Sequence, residues 1–451
     1  MTGLRMHKGP IASGKRAFFL APCLLAAGLL FLALLRPAHG DETGFDLRAA
    51  SEWGGHLRLR GSVSDPAAGS RLSVLERERL HDLAFELRSK YGLQLNPDWA
   101  FDLHYEMIGT AGETRQADAR FFEQYPLAGH LPAPSGASDE RRLMDLTHQI
   151  SSHTDYQLYH RLDRLSLTAR SERGSMRIGR QALTWGNGFL FNPMDLFNPF
   201  SPTDVERDYK IGDDMVSLQV HTGPRGELQM LYVPRRNPAT HDVAWDQSSA
   251  AVKYHTYRGG LEVDLMAGEH YDDAVFGIGF TGYLGGAAWR LDATYTALDD
   301  SYEKTGYAGI CANLDYSWAA WGKNMYAWIE GYYTGLGISD YEDLRTEPAL
   351  LDRLRRGERF TLGRAYLDAS LQVEFHPLIN GHFTFIANLR DPSGALQPRL
   401  VWEPRQDLQV TAGANLYFGG TDTEFGGIDL PGTRFTEAPA DNVYLWLSFF
   451  Y

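Results

Sequence analysis

Residues 442–451 read N-V-Y-L-W-L-S-F-F-Y, and Val443, Leu445, Leu447, Phe449 and Tyr451 fall on alternate positions. A strand places alternate residues on opposite faces, so these five form one apolar face. Chain ends usually fray into water unless something ties them down. An aromatic-rich terminal strand with one face wholly apolar suits a strand that must seal a closed barrel inside lipid, where every backbone group needs a partner. The competing reading is an ordinary core strand, so the rest of the chain must decide.

The same period of two recurs along the sequence. Trp99, Phe101, Leu103, Tyr105 and Met107 alternate with Ala100, Asp102, His104 and Glu106. Leu367, Ala369, Leu371, Val373 and Phe375 alternate with Asp368, Ser370, Gln372 and Glu374. Helical spacing would scatter these charges around a cylinder, whereas a period of two keeps them on one face. Eighteen strands are predicted, near 56–64, 80–94, 98–109, 156–171, 174–185, 213–223, 227–235, 248–258, 260–269, 274–284, 286–298, 308–320, 323–335, 362–376, 380–391, 394–403, 406–418 and 442–451. Sixteen is the alternative count, since the first strand is weak and Glu76-Arg77-Glu78-Arg79 also suits a helix. Pro398 falls within a strand and should mark a bulge or a poorly paired position.

The connections alternate in length. Short turns such as Asn96-Pro97, Glu172-Arg173, Gly259-Gly260 and Gly322-Lys323 follow even-numbered strands. Longer polar stretches, including 110–155, 186–212, 336–361 and 419–441, follow most odd-numbered ones; Asp391-Pro392-Ser393 is a short exception. A β-sandwich gives no reason for this regularity. A transmembrane antiparallel up-and-down barrel does, with short periplasmic turns and long extracellular loops. The expected fold is therefore all-β, with residues 41–451 forming one barrel.

Residues 1–40 fit a secretory signal peptide. Arg5, Lys8, Lys15 and Arg16 precede an uncharged apolar run from Ala17 to Leu35, and Ala38-His39-Gly40 offers cleavage before Asp41. Removing this segment takes away five basic residues and no acidic ones, and moves the net charge from −14 to −19. So acidic an exported chain is unsuited to nucleic acid or to anionic lipid surfaces. Cys311 is left as the one cysteine, which excludes an intrachain disulfide. The 46 glycines, 10 Trp, 23 Tyr and 23 Phe suit tight turns and interfacial girdles.

Taking the polar parity of each strand as inward gives a list of wall residues. One arc carries Arg58, Arg60, Arg88, Lys90, Arg164, Arg170 and Arg177 beside Glu86, Asp102 and Glu106. The other carries Glu262, Asp264, Asp292, Asp315, Glu330, Asp368, Glu374 and Glu403 beside Lys253, Arg290 and Arg399. Opposed arcs would set a transverse field across a wet lumen; the alternative is that the charges pair between neighbouring strands. Tyr257, Tyr283, Trp328, Tyr332 and Tyr417 share the inward parity, as a sugar slide or as girdle residues.

Gly179, Arg180, Gln181, Trp185 and Gly186 make a G-R-Q-x-x-x-W-G motif followed by an Asn-Pro-rich stretch. This resembles porin-type outer-membrane barrels, including those grouped with alginate-export channels. The resemblance covers about a tenth of the chain and implies a passive channel of sixteen or eighteen strands. The terminal pattern ending in Tyr451 also resembles the signal by which barrel-assembly machinery recognises its clients. Within 186–212, Phe189, Phe191, Met194, Phe197 and Phe200 are too apolar for a loop washed by water, and Pro193, Pro199 and Pro202 stiffen them. The segment should fold inward as a constriction or cover the mouth as a cap. Arg180 has lipid-facing parity if Met176 and Ile178 do, so it should be swung inward by a bulge at Gly179 or be buried by loop 186–212.

No catalytic triad, phosphate loop or cofactor fingerprint is present, and 269–273 (E-H-Y-D-D) reads as a solvated turn before a cation loop. The expected partners are outer-membrane lipid and small hydrophilic solutes. Three functions fit: a passive porin, an export channel for a polysaccharide, and a loop-blocked barrel that binds a surface partner.

Overall fold

A computed structural model describes residues 51–126, 138–197, 199, 201–202, 209–430 and 432–451. The signal segment, its cleavage point and Phe200 lie outside the described residues. The first strands are β1 (Ser51–Asp65), β2 (Leu80–Asn96), β3 (Trp99–Gly112), β4 (Thr147–Ser152), β5 (Tyr156–Ser171), β6 (Gly174–Gln181), β7 (Asp213–Gly223), β8 (Gly226–Val233) and β9 (Ser249–Arg258). There follow β10 (Leu261–His270), β11 (Asp273–Leu284), β12 (Ala287–Ala297), β13 (Gly306–Ala320), β14 (Lys323–Thr334), β15 (Ala365–His376) and β16 (Ile379–Asn388). The last are β17 (Ser393–Arg405), β18 (Leu408–Phe418), β19 (Ile428–Asp429), β20 (Thr436–Glu437) and β21 (Asp441–Phe450).

One antiparallel sheet of 19 strands holds all but β19 and β20, which pair with each other outside it. β1 pairs with both β2 and β21, so the sheet closes on itself. β4 is an insert on the edge of β5, which leaves 18 wall strands, each beside its sequence neighbour. The eighteen expected strands are therefore all present, and Leu80–Asn96 is strand throughout. Outward rows such as Val443, Leu445, Leu447 and Phe449 are exposed and apolar, while Trp446 and Ser448 between them are buried. That is the inverse of a soluble protein and marks a lipid-facing belt. No described helix is long and apolar enough to cross a membrane.

Two expectations are corrected. Residues 110–155 are more than a loop, since they hold the helix Glu113–Gln124 and β4. β6 stops at Gln181, short of Trp185. Pro398 is the poorly paired position and not a bulge: β17 keeps one register with β18 from Leu396↔Leu416 to Arg399↔Gly413, and the pairs at Gln397 and Pro398 are missing from that ladder. A proline without an N–H opens the ladder there and leaves the register unchanged.

The insert has a clear cause. β6 ends and β7 begins at the same height, Gln181 opposite Asp213, while β5 continues past them to Tyr156. β4 takes the free edge of β5 there, with Thr147 opposite Arg161. Residues before it reach the other side of the gap, where Arg142 bridges Arg235 and the Arg236 N–H donates to Arg141 O at 2.9 Å. One segment thus fills the wall that β6 and β7 vacate.

Candidate functional site

The chain that leaves the wall at Gln181 folds into the barrel. Trp185, Met194 and Phe197 pack on Met215, Leu231, Val233, Ala251, Met266 and Val275 from the inner face of β7 to β11. Burying a side chain of this size gains about 1.5–3 kcal/mol, which accounts for apolar residues in a connection. Gly186, at φ +86°, turns the chain; a Cβ there would lie 2.0 Å from Asn192 Oδ1.

Wall carboxylates then receive the backbone. Asp292 of β12 accepts from Asn187 N at 2.6 Å and Asn187 Nδ2 at 3.1 Å. Glu330 of β14 accepts from the N–H groups of Phe189, Leu190 and Phe191 at 2.6, 2.9 and 2.8 Å. Asn313 Nδ2 joins Asn187 O at 3.0 Å and Glu330 at 3.2 Å. Phe189 stacks on Trp328 at 4.9 Å, and Phe191 on Tyr332 at 4.5 Å and Tyr366 at 4.8 Å. Asp368, opposite Glu330 in the ladder, is fully buried, and its carboxyl has no hydrogen-bond partner among the described residues. Phe189, Phe191, Met194 and Phe197 thus all pack on wall residues, and Trp328 and Tyr332 are packing surfaces under them.

The far end of the segment meets the opposite arc. Tyr209 donates to Glu86, and the Arg88 guanidinium lies 3.4 Å from its ring centroid. Arg88 pairs with Glu106 and, at 2.8 Å, with Asp163; Arg161 joins Glu106 at 2.6 Å; Arg164 pairs with Asp163 and donates to Lys210 O at 2.7 Å. Lys210 Nζ reaches both oxygens of Asp195 at 2.6 Å. Burial outweighs that ammonium and pushes the Asp195 carboxyl up to about 6.

Arg180 is corrected in its cover. The register runs unbroken through Gly179 and Arg180, so no bulge turns the side chain inward. Instead residues 139–144 seal it. It donates to Asp214 at 2.8 and 3.0 Å, to Asp139 at 3.0 and 3.1 Å, and to Met144 O at 2.6 Å. Only 1% of its surface is exposed. Burial pushes the Asp139 carboxyl upward, but Arg142 and Arg180 prevail and leave it lowered to about 2.

The remaining charges are mostly paired locally. Arg58 donates to Ser448 at 3.2 Å and lies over Trp446, as does Arg60. Asp264 meets His255 at 3.0 Å and Lys253 at 3.7 Å, and Asp315 pairs with Arg290. Arg177 donates to Thr168 at 2.9 Å. Arg170 reaches Gln94, Glu374 accepts from Asn324, and Glu403 accepts from Gln409, all at exposed turn-end positions. Lys90 is exposed and Glu262 half-buried on their strands. The two opposed arcs are thus largely neutralised between neighbours. Parity missed Arg161 and Asp163 because Asp163 is the extra residue of a bulge in β5. The 269–273 stretch is a tight turn, with Tyr271 and Asp272 at φ +51° and +67°, and is buried: Asp273 pairs with Arg353 and His270 bonds Ser249 at 2.9 Å. Among the described residues no three His, Cys, Asp or Glu side chains gather as a metal site.

A closed wall of 18 strands, an apolar outer belt and a chain segment folded into the interior define an outer-membrane barrel of porin type. No protein-family model matches the chain, and no curated protein matches it. Among solved structures it is similar to Acinetobacter baumannii OccAB3, at 11% identity and a TM-score of 0.50, over 89% of this chain and 99% of that one. Acinetobacter baumannii OccAB2 gives 11% and 0.50 over 89% and 98%. A BenF-like porin from Pseudomonas fluorescens Pf-5 gives 8% and 0.48 over 89% and 99%. At such identities the likeness is one of fold.

Proposed function

We propose that the protein is a passive outer-membrane channel for small hydrophilic solutes, delivered to the membrane by recognition of its C-terminal strand, and that the 182–212 segment sets its aperture. The observation that carries this reading is the latching of a wall-leaving segment to Asp292 and Glu330 inside a closed barrel. A chain segment latched to the wall at residues 187–191 limits the size of what can pass beside it. Asp292 and Glu330 are taken up by the segment and Asp368 is buried beside them, while Arg60, Lys90 and Arg399, and equally Glu262, Glu374 and Glu403, keep accessible surface. That supports a mixed-charge pore of near-balanced selectivity. The test is single-channel recording in planar bilayers. Steady ohmic conductance is expected, with a reversal potential near zero in a salt gradient. Absence of conductance would turn the reading to a loop-blocked surface binder, and near-ideal anion selectivity to export of an acidic polysaccharide.

A further inference from the structure

We propose that His148 and His160 form a binding site for a divalent transition cation, such as zinc, on the outer face of the barrel across the seam between β4 and β5. Pairing with β3 fixes the outward row of β5: Tyr156, Leu158, His160 and Leu162 stand opposite Ala111, Gly109, Met107 and Tyr105. His160 is thus an ionisable ring between two leucines on the membrane side. A group there is costly unless a partner satisfies it. Its register partner on β4 is His148. The two ring centroids are 5.5 Å apart, and Tyr105 lies 5.7 Å from His160. Neither imidazole makes a hydrogen bond among the described residues, so their nitrogens are uncommitted. Both rings line an open crevice of about 440 Å³ that Asp145 also lines.

The chemistry follows from the register. Directly opposed residues of an antiparallel pair have Cβ atoms about 4.5–5.5 Å apart. Two imidazoles so placed can turn one nitrogen each toward a common point at the roughly 2.0–2.1 Å that zinc requires. Imidazole suits zinc, copper and nickel, and leaves calcium and magnesium to oxygen ligands. Among the described residues no third His, Cys, Asp or Glu gathers with the pair. The anchor is therefore two nitrogens, with water for the open positions. Because one ligand sits on the insert and the other on the wall, an occupied site would staple β4 to β5.

The test uses the full mature chain in detergent, without a polyhistidine tag, titrated with zinc chloride by calorimetry. One saturable equivalent is expected for the native protein. His148→Ala and His160→Ala should each weaken it by about ten-fold or more, while His241→Asn, an exposed histidine on another loop, should not. Amide exchange over 147–152 should slow with zinc in the native protein alone. Lack of a saturable equivalent, binding unchanged in both variants, or equal loss in His241→Asn would each overturn the site. Protection of His148 and His160 from diethyl pyrocarbonate by zinc needs no variant, and equal modification with and without zinc would overturn it as well.

Discussion

Glu330 accepts three consecutive backbone N–H groups, so its role is to fix a chain direction, which no side-chain partner could do as sharply. Hydrogen bonds to a charged acceptor contribute about 1.5–3 kcal/mol each. Glu330→Gln keeps the shape but turns an amide donor toward those N–H groups. The expected outcome is a noisier and larger single-channel conductance with the barrel intact by circular dichroism. Arg180→Ala leaves Asp214 buried without its cation and Asp139 with Arg142 alone, and should cost about 3–5 kcal/mol, measured by denaturant unfolding in detergent. The sign for Asp139 is set by its lowered carboxyl: stability is fully present above pH 4 and is lost as pH falls toward about 2. Proteolysis at 138–146 should therefore accelerate at pH 2–3 relative to pH 7, and unchanged cleavage would refute the latch. At this scale the sequence made Arg180 conspicuous, because a charge broke the parity of β6. Its partners were illegible, since Asp139 and Asp214 lie 41 and 34 residues away and only the fold brings them together.

Wall strands were legible because lipid outside and water inside impose the period of two on every one of them. The insert β4 was not. Thr147–Ser152 reads T-H-Q-I-S-S, without an apolar row, because it patches a gap and contributes little to the belt. The helix Glu113–Gln124 was missed for a similar reason: it buries only Ala117 and Phe121, too few residues for a stripe. The inward segment was half legible. Its phenylalanines demanded cover, but Asn187 and Asn313, which join segment to wall, are ordinary residues in sequence. Gly186→Ala places a Cβ against Asn192 at positive φ, a strain of about 1–3 kcal/mol. It should loosen the segment and raise the rate of liposome swelling by sugars, while swelling equal to the native protein's would show the turn to be dispensable.

For the whole molecule, closure rests on the β1–β21 ladder, which Tyr451 extends beyond His56↔Phe450. Gly55 N donates to Tyr451 O at 2.9 Å, Tyr451 N to Gly55 O at 3.1 Å, and the Tyr451 hydroxyl to Arg88 O at 3.1 Å. Removing Tyr451 should lower the yield of membrane-inserted protein several-fold, read by heat-modifiable gel migration, and a yield equal to the native chain's would count against it. The opposed charge arcs are where sequence reasoning ran furthest ahead of the fold. Whether those charges face water or one another depends on a segment whose path the sequence does not disclose, and the bulge at Asp163 hid Arg161 and Asp163 from parity altogether.

The wall order β5, insert, β8 ties together stretches far apart in the chain. Residues 139–152 precede β5, yet their far side rests on Arg235 and Arg236, which follow β8. Hairpin-by-hairpin pairing alone does not complete this patch. Both of its borders, β5 and the end of β8, must be in place before it is paired on each side, so a defect at either border exposes the same opening in the wall.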